Sequence, residues 1–476
     1  MLACLRRPLA LMIGLVALAA SPAFAGWKGA VVGLDEGGRL TVDSAGTSHI
    51  VSFTAYGGFD LAYTTYNRRG VRGPRFKTNV GLSDALALAI ATDSKNRPHV
   101  AIINEVAGKF VFQLYYLDFN GHGWNSQLVD TALINNAYLY YLQLILDPND
   151  HPHLFYVAAN GFLTHAFFDG SAWHFENTGA AVAPTSVRIA ADGTVHVAGS
   201  SITYGQPTQV CEERGLNGSW TGECFDYSDV GDPAITLAPD GTPEVVYGGM
   251  VPPTYYDVVK MARFDGASWS TQIIFDGNAF GVPDFQTVVY AFNSAGAVTI
   301  MLADGSNDLD YVVQDGNTWA LTNLGSGFNY DSDLSLALDS AGLPHLTFGI
   351  IYQDIFQLYA ALTLPDLSAQ WQSVVAHTYP LKTVITGKLL ASNIGTAPAS
   401  GYTVNYYLST DNQLDPSDTL LGSAKLALGA GQHKVVTFKF FPSGTVSGEY
   451  LIAAISPNNP PGVVNPNNNV AAFLIP

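Results

Sequence analysis

Apolar residues alternate with other residues in short runs that recur along most of the chain. Each run ends in a polar turn, and Asp339-Ser-Ala-Gly342-Leu-Pro-His345 is the clearest copy. Six residues before the turn glycine, or the Asn or Asp in its place, stand Leu40, Ile90, Leu144, Val187, Ile235, Tyr290 and Leu336. Four residues before it stand Val42, Thr92, Leu146, Ile189, Leu237, Phe292 and Leu338. Alternation with a period of two predicts a strand with one packed face.

The polar turn recurs seven times, at a spacing of about 43 to 55 residues. Its central residues are Gly46, Asn96, Asp150, Gly193, Gly241, Gly296 and Gly342. Asp and Asn favour turns because their side chains bond the nearby backbone, and Gly does so because it accepts positive φ. The pattern therefore predicts a hairpin in each repeat, and the period is typical of β-propeller blades.

A second motif, a tight turn that leads into a tryptophan, follows most hairpins by about twenty residues. Its tryptophans are Trp124, Trp173, Trp220, Trp269 and Trp319. Each repeat therefore predicts four strands in meander order, as in a propeller blade. The seventh repeat lacks such an outer strand, whereas Trp27 to Gly33 matches its pattern. We predict a seven-bladed propeller over residues 26–364, closed by pairing of residues 26–33 with residues 356–363, because an unclosed seam would expose strand edges.

The sequence pattern changes at Pro365, and the hairpin repeat does not recur after this residue. About seven short alternating runs follow in residues 365–476, which predicts a small β-sandwich of immunoglobulin type. The segments Asn393-Ile-Gly-Thr-Ala-Pro398, Tyr407-Leu-Ser-Thr-Asp411 and Leu428-Gly-Ala-Gly431 resemble the CARDB family, a cell-adhesion-related domain found in bacteria. That resemblance implies an exported Ig-like accessory domain with a role in adhesion. The repeats resemble, much less specifically, bacterial Asp-box-like and lectin-like propellers.

The first 25 residues predict a signal peptide. Arg6 and Arg7 precede an apolar run, and Ala23-Phe24-Ala25 is a small-x-small cleavage site. The run is short for a membrane span, so we expect a secreted, cell-surface or periplasmic protein with no membrane insertion after cleavage. The formal net charge of −18 disfavours nucleic acid and anionic membranes as partners. It is compatible with an extracellular glycan or protein.

Two cysteines remain after cleavage, Cys211 and Cys224, and both fall in the fourth repeat. In an exported protein an even pair at hairpin spacing predicts a disulfide. The alternative is a pair of reduced buried thiols.

Candidate catalytic groups are sparse, and we assign none. The recurring histidines His49, His99, His153, His196 and His345 occupy equivalent positions in separate repeats, which spreads them apart instead of gathering them around one metal. We expect them to brace the turns. A sialidase-like site would need several arginines from different blades to clamp a carboxylate, and only Arg39 and Arg188 fall on inner strands.

Ligand binding is expected on the propeller face formed by the loops between second and third strands and between outer and next inner strands. Aromatic residues on such loops can stack on sugar rings or anchor a protein partner. The candidates are Tyr138, Tyr140, Tyr141, Tyr204, Tyr255, Tyr256 and Tyr352. The alternative is that several of them only cover the blade cores.

Two groups of acids carry further hypotheses. Asp411, Asp415 and Asp418 lie within eight residues in the C-terminal domain, and closely spaced oxygen ligands suit Ca²⁺; a solvated acidic turn is the alternative. In the propeller, a second hypothesis makes the protein a polysaccharide hydrolase or lyase. Its acids would be Asp257, Asp284, Asp308, Asp310 or Asp331, converging on the axis. Our primary expectation is recognition without catalysis.

Overall fold

The computed structural model describes part of the chain: residues 27–33, 35–54, 61–67, 71–77, 85–106, 109, 111–131, 140–202, 208–228, 230–253, 255–306, 308–315, 318–325, 334–352, 354–362, 364–380, 382–395, 397–456 and 468–476. Secondary structure in these residues is almost entirely β-strand, with a short 3-10 helix at Asn278–Phe280. The prediction of an all-β fold is confirmed. The chain divides into two compact units, of which the first ends at Ala361 and the second is Leu362–Pro476. The predicted signal peptide lies outside the described residues.

The described part of the first unit contains seven four-stranded sheets. Sheet one holds β2 (Asp35–Val42), β3 (Ser48–Thr54), β4 (Leu61–Tyr66) and β5 (Phe76–Lys77). Sheet two holds β6 (Ala85–Thr92), β7 (Pro98–Val106), β8 (Val111–Phe119) and β9 (Trp124–Asp130). Sheet three holds β10 (Leu142–Leu146), β11 (Pro152–Val157), β12 (Leu163–Phe168) and β13 (Trp173–Asn177). Sheet four holds β14 (Val182–Ile189), β15 (Val195–Ser201), β16 (Gln209–Leu216) and β17 (Ser219–Tyr227).

The remaining sheets of this unit follow the same order. Sheet five holds β18 (Ala234–Leu237), β19 (Pro243–Val251), β20 (Tyr256–Phe264) and β21 (Trp269–Asp276). Sheet six holds β22 (Phe285–Phe292), β23 (Val298–Asp304), β24 (Leu309–Asp315) and β25 (Thr318–Gly325). Sheet seven holds β26 (Ser335–Leu338), β27 (Pro344–Tyr352), β28 (Asp354–Leu362) and, beside β28, the N-terminal strand β1 (Trp27–Gly33).

The first strands of the sheets lie next to one another. Contacts run from β2 through β6, β10, β14, β18 and β22 to β26, and β26 contacts β2 in turn. Side chains fasten some of these neighbours: Ser186 Oγ accepts a hydrogen bond from Ile235 N (3.1 Å), and Ser335 Oγ accepts one from Leu40 N (3.3 Å). Four-stranded sheets arranged with their first strands innermost are the propeller architecture.

The polar turns fold because their first acid bonds the turn backbone. Asp43 Oδ1 accepts hydrogen bonds from Ala45 N (2.9 Å) and Thr47 N (2.8 Å), and Asp339 does the same in sheet seven. The central residue has positive φ, 77° at Gly342 and 62° at Asn96. Asn and Asp tolerate this left-handed conformation better than other non-glycine residues. The turn chemistry therefore explains why Asn or Asp can replace the glycine.

Some of the recurring histidines contact the acid of this turn from the second strand, as predicted. His49 Nε2 lies 3.0 Å from Asp43 Oδ2, and its Nδ1 lies 2.7 Å from the Tyr63 hydroxyl. His99 contacts Asp93 and Tyr116 in the same way, one sheet further on. His153 and His196 do not follow the prediction: their Nδ1 atoms lie 2.8 Å from His165 Nε2 and from Glu212 Oε1 of the third strand. Burial lowers the pKa of His49 and of His99, which favours the neutral ring at physiological pH.

Most tryptophans of the outer strands pack edge-on against an aromatic ring of the preceding sheet, whereas Trp269 stacks on Phe225 at an interplanar angle of 16°. Trp124 meets Tyr63 with ring centroids 5.4 Å apart, and Trp319 meets Phe275 at 6.2 Å. Trp27 of β1 meets Tyr311 of sheet six at 5.6 Å and an interplanar angle of 78°. Trp27 thus makes the edge-on contact that Trp124 and Trp319 make, and β1, which lies beside β28, occupies the outer-strand position of sheet seven.

Cys211 and Cys224 form a disulfide, so that prediction is confirmed. The two residues are register partners on β16 and β17 of sheet four. The cross-link therefore joins the third strand to the outer strand within one sheet.

The second unit is a two-layer β structure. One sheet orders β29 (Leu367–Tyr379), β30 (Lys382–Asn393) and β33 (His433–Phe440). The other orders β32 (Thr419–Leu428), β31 (Ala399–Ser409), β34 (Tyr450–Ser456) and β35 (Val470–Leu474). Leu389 of the first sheet and Val404 and Ile455 of the second belong to one fully buried cluster. Asn393 is also fully buried, and its Nδ2 donates to Ala397 O (2.8 Å), which fixes the turn after β30.

Candidate functional site

The seven tyrosines predicted to bind a ligand differ widely in exposure. Tyr255 and Tyr140 are 67% and 62% exposed, while Tyr256 and Tyr141 are half-buried. Tyr138 and Tyr204 lie outside the described residues. Tyr352 ends β27, where only the backbone is described. Tyr255 and Tyr140 lie in different sheets' connections, so the candidates are not one cluster.

Tyr255 stands at the tip of the connection between β19 and β20. Its backbone N–H donates to Val251 O (2.8 Å), and its φ is +52°. A bulky residue rarely adopts positive φ, and such strain concentrates at binding sites where the surrounding structure enforces it. The hairpin thus holds an exposed phenol ring outward in a fixed backbone conformation.

A second exposed aromatic residue lies beside this hairpin and was not predicted. Phe280 ends the 3-10 helix, is 40% exposed, and packs against buried Phe275 with ring centroids 4.9 Å apart. The helix contacts β20, and Gly277 N donates to Asp257 O (3.3 Å). We call Tyr255, Tyr256 and Phe280 the aromatic rim. A sequence signal for Phe280 is the glycine on each side of the helix, which marks a structured connection.

Carboxylates lie next to the aromatic rim, and two of them organise its loops. Asp257 is buried, and its Oδ2 accepts a hydrogen bond from Phe285 N (2.6 Å), so it holds the start of sheet six. Asp284 is exposed, and its backbone carbonyl accepts from Gly305 N (3.0 Å). A Cβ on Gly305 would come within 2.5 Å of Asp284 Oδ2, so the glycine makes room for that carboxylate.

Two further predicted acids lie at the start of β24 in sheet six: Asp308 just before the strand and Asp310 within it. Asp310 is 1% exposed, and neither carboxylate oxygen has a hydrogen-bond partner in the described structure. Burial, together with the charges of Asp304 and Asp308, raises its pKa to about 6. Asp308 Oδ2 accepts from Asn323 Nδ2 (2.7 Å). The remaining predicted acid, Asp331, lies outside the described residues.

The arginines do not converge into a clamp within the described residues. Arg72 Nη2 donates to Val32 O (2.9 Å), and Arg263 pairs with Asp240 (2.6 Å) and Glu244 (2.5 Å). Arg188 lies apart from these, in an inner cavity of about 310 Å³ between the first strands of sheets one to four. The polar lining of this cavity is Thr41, Thr92, Gln143, Ser186 and Arg188.

The acids proposed to bind Ca²⁺ bond their own loop instead. Asp415 Oδ1 accepts hydrogen bonds from Ser417 N (2.7 Å) and Oγ (2.6 Å), and Asp418 Oδ2 accepts one from Asp415 N (3.0 Å). Asp411 Oδ1 accepts one from Gln413 N (2.8 Å). Across the described residues, no group of three or more His, Cys, Asp or Glu side chains is arranged to hold a metal ion. Ca²⁺ binding by this loop stays a prediction, and the geometry favours the acidic-turn alternative.

Comparison with known proteins gives structural likeness only. No family model matches the chain, so the CARDB resemblance stays a prediction, and no curated protein matches it. The BP39L lectin from Burkholderia pseudomallei is 12% identical, with 67% of this chain and 96% of that chain covered and a TM-score of 0.46. The β-propeller domain of the Trilobed protease from Pyrococcus furiosus is 12% identical, with coverages of 69% and 94% and a TM-score of 0.41. A Hadza microbial sialidase is 11% identical, with coverages of 69% and 68% and a TM-score of 0.38.

Within the described residues, the structure contains no helix of the length and apolar character needed to cross a membrane.

Proposed function

We propose that the protein is an exported recognition protein that binds glycan through the aromatic rim, without catalysing a reaction. The observation that carries the proposal is the exposed ring of Tyr255, on a hairpin tip with positive φ, together with exposed Phe280 on the 3-10 helix that contacts β20. Sugar rings present apolar C–H faces and hydroxyl edges. Aromatic rings stack on the faces, and a few placed polar groups fix orientation through the hydroxyls.

The rim has the support that a binding site requires. Phe280 packs on buried Phe275, and the Asp257 hydrogen bond to Phe285 N ties the neighbouring connection in place. The exposed carboxylate of Asp284, which belongs to the same connection, can accept hydrogen bonds from hydroxyl groups. Rings held on a rigid framework lose little conformational entropy on binding, which favours affinity.

Burial argues against a hydrolytic role for the nearby acids. Glycoside hydrolysis places two carboxyl groups on either side of the scissile bond, so both must reach the substrate. Asp310 is 1% exposed, and the carboxylate of buried Asp257 accepts a hydrogen bond from a backbone N–H. This burial supports recognition, because a hydrolytic role would require these side chains to become exposed to the polysaccharide.

The disulfide supports the proposed location outside the cytoplasm, because disulfides persist in oxidising compartments. We further propose that the second unit serves as an Ig-like accessory domain. In that role it would hold the first unit at a distance from the cell surface or pair it with other domains.

A glycan array probed with the mature chain tests the proposal. We expect binding to one class of glycan, with Tyr255→Ala and Phe280→Ala each weakening it roughly tenfold, the loss typical of a central aromatic contact. Tyr379→Ala is the control, because Tyr379 is also an exposed tyrosine (52%) but lies on β29 of the second unit and is not a candidate binding residue. The proposal fails if the mature chain binds no glycan, or if the rim variants bind as tightly as the control. Capture of a protein ligand through the same residues would favour a protein partner instead.

The alternative is a polysaccharide hydrolase or lyase. One observation favours it: the pKa of Asp310 is raised to about 6, which is the range of a general acid. Incubation of any bound polysaccharide with the mature chain, followed by measurement of new reducing ends, decides between the two. Turnover that is lost in Asp310→Asn would establish the enzyme and overturn the recognition proposal.

A further inference from the structure

Arg188 is a charged side chain in the inner cavity that has no charged partner among the described residues. Its Nη1 donates to Val187 O (2.8 Å), and it forms no ion pair with any described residue. Burial lowers its pKa, and no carboxylate of the described part of the chain contributes to the shift. A guanidinium cannot lose its proton at physiological pH. The cavity therefore holds a permanent positive charge.

Arg39, the other arginine on a first strand, differs from Arg188 because it has an acidic residue nearby. Desolvation raises the pKa of Asp232, and the positive charge of Arg39 offsets part of this rise. Arg39 thus has an acid in electrostatic range. The chain carries 39 acidic residues against 21 basic ones, so carboxylates are plentiful, and yet none in the described ranges pairs with Arg188.

Leaving a desolvated charge uncompensated opposes folding. Arginines are commonly compensated by carboxylates. Exposed Arg263, for example, pairs with both Asp240 and Glu244. An unpaired guanidinium in a cavity is the arrangement expected where an external anion completes the pairing. The planar fork of arginine matches a carboxylate in a bidentate manner.

The rest of the cavity lining selects among anions. Thr41, Thr92 and Gln143 contribute hydroxyl and amide groups from three neighbouring strands. Ser186 Oγ accepts a hydrogen bond from Ile235 N, and its own O–H is still able to donate. These groups suit a ligand with several hydroxyls besides its carboxylate. A volume of about 310 Å³ is at the lower end of small-molecule sites.

We propose that the inner cavity binds a monosaccharide-sized hydroxycarboxylate, such as a hexuronic acid, with its carboxylate on Arg188 and its hydroxyls on Thr41, Thr92 and Gln143. This site is separate from the aromatic rim. The cavity lies beside strand residues that lead into the polar turns, whereas the rim lies on the connections at the opposite end of the strands. Either site can therefore exist without the other.

The test is isothermal titration of the mature chain with sodium D-glucuronate, with D-glucose as the neutral control. We expect glucuronate to bind, glucose to show no binding, and glucuronate affinity to fall in high salt, because screening weakens the ion pair. Arg188→Met should weaken glucuronate binding at least tenfold. Arg263→Met, which removes an exposed and already paired arginine, should leave it unchanged. Comparing free glucuronate with a glucuronate-terminated oligosaccharide distinguishes a free sugar acid from the end of a glycan chain.

A melting-temperature measurement without ligand guards against a purely structural explanation. Because the guanidinium is unpaired, Arg188→Met should melt at or above the wild-type temperature and lose the upward shift that glucuronate gives. Gln143→Leu, which keeps the charge, should reduce that shift. The proposal is overturned if the wild type does not bind glucuronate, if Arg188→Met binds it equally well, or if that variant melts lower. Tyr255→Ala should leave glucuronate binding intact, so failure of this site and failure of the rim are distinguishable.

Discussion

The contact between Trp27 and Tyr311 provides a direct test of how the N-terminal strand is held in solution. Trp27→Ala removes a half-buried indole that meets Tyr311 edge-on at 5.6 Å. Trp→Ala in a protein core costs about 3–5 kcal/mol, and half-burial reduces this loss. An edge-to-face pair contributes about 0.5–1.5 kcal/mol beyond its buried area. We therefore expect a loss of roughly 2–3 kcal/mol in the free energy of unfolding.

Trp124→Ala is the matched control for this change. Trp124 is also half-buried and meets Tyr63 edge-on at 5.4 Å, but it lies in sheet two, within a continuous run of chain. If β1 is held as firmly as an internal outer strand, both substitutions should lower stability by similar amounts. At a denaturant dependence of about 3 kcal/mol/M, the expected loss of roughly 2–3 kcal/mol corresponds to a decrease of roughly 0.7–1 M in the urea midpoint.

The assay combines urea unfolding, followed by far-UV circular dichroism, with hydrogen exchange read at the peptide level. In Trp27→Ala, amides of β1 and of its neighbour β28 should exchange faster, while those of sheet two should not. Trp124→Ala should give the opposite pattern. The reasoning is refuted if Trp124→Ala is destabilised while Trp27→Ala keeps both the wild-type midpoint and wild-type exchange at β28.

Three further changes have outcomes set by the described contacts. Replacing Cys211 and Cys224 by Ser should lower the free energy of unfolding by about 2–3 kcal/mol, the value for a short closed loop, measured in urea with and without reductant. Tyr247→Phe removes a 2.7 Å hydrogen bond to Asp226 between sheets five and four and should cost about 1 kcal/mol in the same assay. Burial and a neighbouring carboxylate raise the pKa of Glu213 from 4.5 to about 7, so its charge opposes folding, and stability should fall as pH rises through that window. Glu213→Gln should make this fall in stability smaller. The assignment is contradicted if, between pH 5 and pH 8, the melting temperature of the wild type falls no more than that of the variant.

Much of the first unit was predictable from the sequence, because each repeat has the same turn residues and the same strand pattern. Positive φ at the turn centre follows from Gly342 and is met by Asn96 in another copy. The bracing of Asp43 by His49 follows from their constant spacing. Trp27 could be matched to an outer strand because five of the other six outer strands carry a tryptophan at or near their start. The repeat pattern therefore predicts contacts between residues that are close together along the chain.

Contacts between repeats were not predictable from the pattern. Tyr247 of sheet five donates to Asp226 of sheet four, and Tyr156 of sheet three bonds Asp130 of sheet two, but other sheet pairs have no counterpart of this link in the described structure. Two residues on different strands must be brought together by the packing of whole sheets, and sequence spacing does not encode that packing. The same limit applies to Phe280, whose exposure depends on how a connection folds.

The candidate sites lie where the repeats differ from one another. A residue present in every repeat is placed at equivalent points of separate sheets, so a ligand the size of one sugar can meet a single copy. Such residues stabilise the fold, as His49 and Trp124 do. Arg188 has no arginine at the equivalent position of the other repeats, and Tyr255 is the only aromatic residue with positive φ in the described structure. Recognition by this protein is therefore expected to be asymmetric, with about one ligand per site. Binding with a stoichiometry near the number of sheets would show that the repeated residues, and not these exceptions, form the binding surface.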